Sequence, residues 1–333
     1  MWKVNAGRRS VFAGEFLNRN IVAIGWPEAG DYVDVRSKDE LTRLVRAGYP
    51  DRTDRQTEVS VNQIWRFLRN VRPGDTVLTY DPSTRLYHLG RIEGEPKYRP
   101  DDIPSLPVQR AVTWNASVSR DDLSTRAKGK LGAILTLFLV EDQTARELQA
   151  IANGNPIIEP QSDGVRADED EDVEALVDPL DNLQEQAIER IKDRLLALDW
   201  DEMQEMVASL LRALGYRTLV SPAGPDRGKD IIASKDGFGF EPPRIVVEVK
   251  HRRGAMGAPE IRAFLGGRHS EDRGLYVSTG GFSREAYFEA ERASNVTHLM
   301  TLDDLATALS DNYEKLDERG RALLPLVRVY WPA

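Results

Sequence analysis

The sequence predicts a two-domain α/β protein in which a mixed β-barrel with helices precedes a second domain of helices and strands. In the first 130 residues, short runs of strand-forming residues alternate with turns that contain Gly or Pro, which is typical of small barrels. Beyond residue 180, apolar residues at helical spacing alternate with short apolar runs that predict strands. A strongly acidic stretch lies between the two patterns and predicts a domain boundary.

The N-terminal region should contain short strands and two helices. The string Arg72-Pro73-Gly74-Asp75 predicts a turn that leads into a strand, because Pro and Gly favour turn conformations. The predicted strands are Trp2–Val4, Ile21–Trp26, Thr76–Tyr80, Tyr87–Ile92 and Gln109–Trp114, and the predicted helices are Leu41–Ala47 and Val61–Asn70.

The C-terminal region should begin with helices and continue into a sheet. Apolar residues spaced three and four apart predict an amphipathic helix from Met203 to Leu214, and Gly215 is a typical helix stop. The other predicted elements are a helix at Leu183–Leu198, strands at Ile231–Ala233, Ile245–Lys250 and Gly274–Thr279, and a short helix at Glu260–Phe264.

Three charged residues in this region predict a metal-dependent phosphodiesterase. Glu248 and Lys250 alternate with Val249 in one strand, so their side chains share a face. Asp230 begins a neighbouring strand, and the polar turn Ser234–Gly237 lets the chain fold back towards Glu248. Two carboxylates suit a Mg²⁺ ion that also binds phosphate oxygens, and the ammonium group can stabilise developing negative charge. We therefore expect Asp230, Glu248 and Lys250 to be catalytic.

Several short sequence segments between residues 199 and 309 accompany this triad. They are Leu211–Tyr216, Gly228–Asp230, Val247–Lys250, Glu260–Arg262 and Ser278–Ser283. In their order and spacing they resemble the Mrr-type catalytic domain of the PD-(D/E)XK nucleases. The resemblance implies a restriction-endonuclease-like α/β/α core, double-stranded DNA as the partner, and Mg²⁺ as the cofactor, with Mn²⁺ as a substitute. A restriction or phage-defence role is implied by the resemblance alone.

The first helix departs from the pattern of the family it resembles. Members usually carry a glutamate there that helps the metal site, whereas this chain has Gln204. An amide can offer a carbonyl oxygen but no charge, so Mg²⁺ should bind weakly. The predicted metal ligands are Asp230 and Glu248, with the Val249 carbonyl and Gln204 as further candidates.

The N-terminal region carries a second resemblance. It rests on Gly25-Trp26, Trp65–Leu68, Val77–Tyr80 and Leu89–Ile92, and it is similar to the EVE/PUA-like modules that accompany modification-dependent nucleases. Such modules accept an extruded, modified base in an aromatic pocket. The candidate base-binding residues are Trp26, Tyr80 and Trp114. Each of them can equally be an ordinary core aromatic.

Charge is distributed unevenly along the chain. The net charge is −9, but residues 162–205 contain 16 acidic and 4 basic side chains, whereas residues 1–130 contain 22 basic and 17 acidic ones. The acidity is therefore local, and the run Asp168–Asp172 predicts a solvated linker. Arg252 and Arg253 continue the catalytic strand into a loop, where we expect contacts with DNA phosphates.

These observations predict three segments: an EVE/PUA-like module at 1–150, an acidic linker at 151–180 and an Mrr-like nuclease at 181–333. The chain lacks cysteine, a signal core and any long apolar run, which predicts a cytoplasmic location without a membrane partner. A homodimer is compatible with this interpretation. Two alternatives stay open: a nuclease that acts on RNA or is activated by a small nucleotide, and a nucleic-acid-binding protein with weakened catalysis.

Overall fold

The structure is a computed structural model, and it describes residues 1–133, 135–155, 179–221, 230–237, 243–266, 269 and 271–330. The acidic run Asp168–Asp172 and the pair Gly228-Lys229 of the nuclease-like string lie outside these ranges. The chain divides into two compact units, Met1–Glu185 and Gln186–Ala333. Each unit is described by itself.

The N-terminal unit contains a seven-stranded mixed sheet in the order β2-β6-β4-β3-β1-β7, with β5 paired to β6. Its strands are β1 (Trp2–Val4), β2 (Ile21–Ile24), β3 (Thr76–Asp81), β4 (Leu86–Ile92), β5 (Lys97–Tyr98), β6 (Val108–Ser119) and β7 (Leu137–Leu139). Its helices are α1 (Ala13–Arg19), α2 (Lys38–Gly48), α3 (Asp54–Trp65), α4 (Thr125–Leu131) and α5 (Asp142–Ala152).

Both faces of this sheet are covered by apolar residues. Along β3, Val77 belongs to one core cluster, whereas Leu78 and Tyr80 belong to another, because successive side chains of a strand point to opposite faces. Cluster 1 includes Phe16, Ile24, Ile64, Val77 and Val108. Cluster 2 includes Leu78, Tyr80, Tyr87, Leu131 and Leu148. The sheet and its flanking helices are in keeping with a PUA-like half-barrel.

The C-terminal unit contains a five-stranded sheet in the order β12-β11-β10-β9-β8. Its strands are β8 (Arg217–Val220), β9 (Ile231–Ser234), β10 (Ile245–Lys250), β11 (Arg273–Ser278) and β12 (Thr297–Thr301). The helices that follow residue 178 are α6 (Pro179–Leu196), α7 (Trp200–Ala213), α8 (Ala258–Leu265), α9 (Arg284–Glu291), α10 (Leu302–Asp311) and α11 (Glu318–Leu323).

Helices cover both faces of this second sheet and confirm the predicted α/β/α core. Val247 and Val249 of β10 pack in cluster 3, which contains Met203 and Val207 of α7. Cluster 4 lies on the opposite face, and its members are Met256, Ile261, Phe264, Tyr276, Ala286 and Leu299. The β8–β9 and β9–β10 pairs are antiparallel, whereas the β10–β11 and β11–β12 pairs are parallel.

A partly buried polar junction joins α7 to α11. The Asp317 carboxylate accepts hydrogen bonds from Ser209 Oγ (2.8 Å), Arg212 Nε (2.5 Å) and the Gly320 amide (2.9 Å). A Cβ atom at Gly320 would lie 2.1 Å from Ser209 Oγ, so the close approach of the two helices requires glycine there. Burial raises the pKa of Asp317, but these hydrogen bonds and the Arg212 charge lower it, and the pKa lies below its ordinary value of 3.8.

Candidate active site

The register of β9 and β10 brings the two predicted metal-binding carboxylates together. Ile231 pairs with Val247 in the antiparallel ladder. Asp230 directly precedes this pair, and its backbone amide donates to the Val247 carbonyl, next to Glu248. Both residues are buried, with exposed fractions of 4% for Asp230 and 8% for Glu248. The structure therefore places both carboxylates at the same end of β10, where burial raises the pKa of Tyr276 and the charges of both carboxylates raise it further.

The Asp230 carboxylate is held by the backbone of the neighbouring strand. Its Oδ2 atom accepts a hydrogen bond of 2.6 Å from the Val249 amide, and the Asp230 amide donates to the Val247 carbonyl at 2.9 Å. A buried carboxylate needs such donors, because its hydration is lost on folding. Asp230 and Val249 are therefore in direct contact, although 19 positions separate them in the sequence.

Lys250 reaches the same pair from the end of β10. Its Nζ atom lies 2.7 Å from Glu248 Oε1, and its side chain is 35% exposed, compared with 11% for Glu248. The ammonium group therefore lies between a buried carboxylate and solvent. An incoming phosphate can contact this side of the site without displacing the two carboxylates.

Two hydroxyl groups that the sequence analysis did not assign to the site lie on the next strand. Tyr276 is the register partner of Glu248, and Ser278 is the partner of Lys250. Both residues are fully buried, and neither hydroxyl has a hydrogen-bond partner among the described residues. Burial, followed by the charge of Glu248, raises the pKa of Tyr276, so this phenol stays protonated. Tyr276 and Ser278 are neighbours of the site because β11 pairs with β10, and the sequence alone does not show this pairing.

Gln204 lies on the helix that packs against the other face of the sheet. It is 1% exposed and belongs to α7, whose Met203 and Val207 pack with Val249 in cluster 3. Within the described part of the chain, its Nε2 atom has no hydrogen-bond partner. The metal-binding roles of Gln204 and of the Val249 carbonyl stay predictions.

The two arginines after β10 lie at the surface. Arg252 Nη2 is 3.4 Å from Glu260 Oε1, and the Arg252 side chain is 56% exposed. Glu260 also accepts a hydrogen bond from the Gly257 amide at 3.1 Å, so it caps α8. Arg253 is exposed as well. Binding of DNA phosphates by Arg252 and Arg253 stays a prediction.

The three candidate base-binding aromatics do not share one cluster. Trp26 belongs to cluster 1, and the half-buried Trp114 packs against that cluster, whereas Tyr80 belongs to cluster 2 and stacks on Tyr87 with ring centroids 4.6 Å apart. Trp26 has a left-handed backbone with φ of 67°, which is rare for a bulky residue and is found at functional sites. Base binding by these residues stays a prediction.

The candidate site is chemically suited to Mg²⁺. Among the described residues, no group of three or more His, Cys, Asp or Glu side chains is placed to hold a metal ion. Two carboxylates are nevertheless enough, because Mg²⁺ commonly takes one or two carboxylates and completes its shell with water and substrate phosphate oxygens. Metal binding by Asp230 and Glu248 stays a prediction.

The model of a restriction endonuclease family, Mrr_cat, matches residues 195–309. The match includes every candidate catalytic residue together with α7 and the sheet that carries them. Residues 195–309 are an Mrr-type restriction endonuclease catalytic domain. The Mrr-type domain confirms the resemblance found in the strings around Asp230 and Lys250.

The region before the Mrr-type domain matches a different family model. Residues 2–138 correspond to a domain of unknown function, DUF8426. This match identifies residues 2–138 as a separate family unit and says nothing of an EVE/PUA-like activity, which stays a prediction.

Three more distant similarities cover between 30% and 80% of the chain. An uncharacterized protein of Sinorhizobium fredii, y4cE, is 30% identical over 104 residues, which is 30% of this chain and 26% of that relative. The chain therefore matches about a quarter of that relative's length. A MspJI restriction endonuclease in complex with a 27-mer oligonucleotide is similar at 14% identity, with 80% of this chain and 67% of that chain covered and a TM-score of 0.27. The DNA modification-dependent restriction endonuclease AspBHI is similar at 17% identity, with 79% and 71% covered and a TM-score of 0.32.

None of the helices in the described ranges combines the length and the apolarity needed to span a bilayer.

Proposed function

We propose that this protein is a Mg²⁺-dependent DNA endonuclease of the modification-dependent, type IV-like restriction class. The observation that carries the proposal is the position of Asp230, which is hydrogen-bonded to the backbone of Val247 and Val249 on either side of Glu248, with Lys250 2.7 Å from Glu248, inside an Mrr-type domain. A structural ion pair alone does not require two neighbouring buried carboxylates. Their mutual repulsion is relieved when a cation binds between them.

In this proposal, Asp230 and Glu248 hold the metal, which when bound polarises the scissile phosphate and lowers the pKa of a water molecule. The amide of Val249 fixes the Asp230 carboxylate at 2.6 Å, so that ligand is oriented before the substrate arrives. Lys250 donates to the phosphate or positions the attacking water, and its charge opposes the negative charge that develops in the transition state. Arg252 and Arg253 contact the DNA backbone beside the site.

The proposal assigns a separate role to each segment of the chain. Residues 1–150 recognise a modified base in double-stranded DNA, 151–180 form an acidic linker, and 181–333 cleave the DNA. Support for recognition comes from the excess of basic side chains in residues 1–130 and from Trp26 and Trp114, which pack in or against the same cluster. An aromatic ring stacks on the face of any base, so discrimination must come from polar groups beside it.

A plasmid nicking assay tests this function. The full-length protein is incubated with Mg²⁺ or with EDTA on plasmids that carry no modification, methylated cytosine or hydroxymethylated cytosine, and on RNA of similar length. We expect metal-dependent cleavage of a modified plasmid and little cleavage of the unmodified plasmid or RNA. Cleavage of RNA alone supports the RNase alternative. Retained DNA binding without cleavage at any metal concentration supports the weakened-nuclease alternative.

A further inference from the structure

A row of polar side chains crosses three strands of the N-terminal sheet. Thr79 of β3 is the register partner of His88 of β4, and His88 is the partner of Ser117 of β6. Register partners point to the same face. This face is the one covered by cluster 1, because Val77, two residues before Thr79, belongs to that cluster. The row is therefore a polar stripe on the face that cluster 1 covers.

The stripe runs from solvent into the interior. Ser117 is exposed, His88 is half-buried and Thr79 is fully buried. His88 Nδ1 lies 3.0 Å from Ser117 Oγ, so the outer end of the row is hydrogen-bonded. A molecule that approaches over Ser117 meets progressively more buried polar groups.

The inner end of the stripe has unsatisfied hydrogen-bonding atoms. In the part of the chain that the structure describes, Thr79 Oγ1 and His88 Nε2 are buried and have no partner. The same holds for the Nε2 atom of Gln63, whose Oε1 accepts a hydrogen bond of 3.0 Å from the Leu137 amide. Leu137 pairs with Val4, and the β1–β3 register continues from Val4 to Thr79, so the backbone that Gln63 contacts lies two strands from Thr79, about 10 Å away. Buried polar atoms without partners are uncommon and mark places where a ligand can supply them.

His88 presents a neutral imidazole to the stripe. Burial lowers the pKa of His88, while the Asp81 carboxylate raises it, and the pKa lies below its ordinary value. The imidazole is therefore neutral at pH 7 and offers one donor and one acceptor.

An aromatic side chain flanks the stripe. Gly90 follows His88 by two residues on the same face, and a Cβ atom at Gly90 would lie 2.8 Å from Cε3 of Trp114. The indole therefore lies directly against β4 at Gly90. Its Nε1 atom donates to the Phe16 carbonyl at 3.2 Å, which fixes the ring. A fixed aromatic ring beside mixed donors and acceptors suits a flat heterocycle.

We propose that Gln63, Thr79 and His88 bind the hydrogen-bonding edge of a nucleobase. The amide nitrogen of Gln63 donates, and the hydroxyl and the imidazole each donate or accept, which matches the mixed edge of a base. The base enters over Ser117 and lies beside Trp114. This inference rests on the proposed recognition function of the N-terminal unit. The base comes either from DNA, by extrusion, or from a free nucleotide.

The variant Thr79→Val tests the assignment, because it keeps the shape of the side chain and removes the unpartnered hydroxyl. Thr76→Val is the matched control: it lies on the same strand, three residues away, and points to the other face. Full-length parent and variants are compared in EDTA, so that cleavage is prevented. The probes are one duplex with a single 5-methylcytosine, 5-hydroxymethylcytosine or N6-methyladenine, the unmodified duplex, and free nucleoside monophosphates.

We expect Thr79→Val to weaken binding of the preferred probe at least tenfold and to leave binding of the unmodified duplex within twofold. It should melt at the same temperature as the parent or higher, because a buried hydroxyl without a partner has been removed. Thr76→Val should bind like the parent. Preference for a modified duplex identifies DNA as the source of the base, and preference for a monophosphate identifies a free nucleotide.

Two results would overturn the inference. One is a Thr79→Val protein that retains the preference of the parent. The other is a parent that prefers no probe in the panel. Neither result bears on the Mrr-type domain, because nicking of plasmid with Mg²⁺ is measured separately. Conversely, a protein that shows the expected loss on Thr79→Val but never cleaves DNA refutes the nuclease proposal and leaves the base-binding inference in place.

Discussion

Replacing Lys250 should separate catalysis from folding. In the parent, Lys250 Nζ lies 2.7 Å from Glu248 Oε1, and the lysine side chain is 35% exposed. Water can therefore replace much of the interaction, and an ion pair of this exposure contributes about 0.2–1 kcal/mol. Lys250→Ala should lower the melting temperature of a unit of this size by about 2–4 °C or less.

The effect on cleavage should be much larger. A group that stabilises charge only in the transition state typically supplies about 2.7–4 kcal/mol, which corresponds to a rate loss of roughly 100- to 1,000-fold. We therefore expect Lys250→Ala to bind DNA almost as the parent does and to cleave it at least about 100-fold more slowly. The rate is measured by plasmid nicking at saturating Mg²⁺, and binding is measured in EDTA.

Lys235→Ala is the matched control, because Lys235 is an exposed lysine beside the same sheet, with its Nζ atom 4.1 Å from the centre of the Tyr216 ring. It should cleave like the parent. If Lys250→Ala cleaves at the parental rate, the catalytic assignment is wrong. If Lys250→Ala loses cleavage together with its cooperative melting transition, the lysine is structural and the argument from charge fails.

Three further predictions follow from the same structure. Gln204→Glu should lower the Mg²⁺ concentration for half-maximal cleavage, and an unchanged or higher value would place this residue outside the metal shell. Because the folded-state pKa of Asp317 is lowered, its contribution to stability is present at neutral pH and is lost as the pH falls below about 4. Asp317→Asn should therefore show a smaller drop in melting temperature between pH 7 and pH 3 than the parent, and an equal drop would contradict this. Trp114→Ala should lose the preference for a modified duplex and keep salt-sensitive binding, whereas a retained preference would exclude stacking on this ring.

Several elements could be predicted from local sequence because their signals are local. The helix predicted at Met203–Leu214 is α7 (Trp200–Ala213), and its start is set by a capping box between Asp199 and Glu202. The helix predicted at Val61–Asn70 begins seven residues earlier in the structure, at Asp54, where Thr53 and Gln56 form another capping box. The apolar stripe indicated the helix, but the polar cap decides where it begins.

Residues whose roles depend on a neighbouring strand were beyond the reach of the sequence. Tyr276 and Ser278 lie within a predicted strand, but their position beside Glu248 and Lys250 depends on the parallel pairing of β10 with β11. The row of Thr79, His88 and Ser117 likewise joins residues from three strands. Local periodicity gives the two faces of each strand and cannot say which strands pair or in what register.

The sequence by itself determined the chemistry of this protein. Two carboxylates and a lysine, with Glu248 and Lys250 alternating in one strand, follow from residue types and a period of two. The tertiary structure decided which of these groups meet. Asp230 lies beside Glu248 because its amide and its carboxylate bind the Val247 carbonyl and the Val249 amide of β10. Tyr80 is separated from Trp26 and Trp114 because β3 places Tyr80 on the face of cluster 2. Pairing between strands distant in sequence fixed both outcomes, since it is set by packing over the whole sheet.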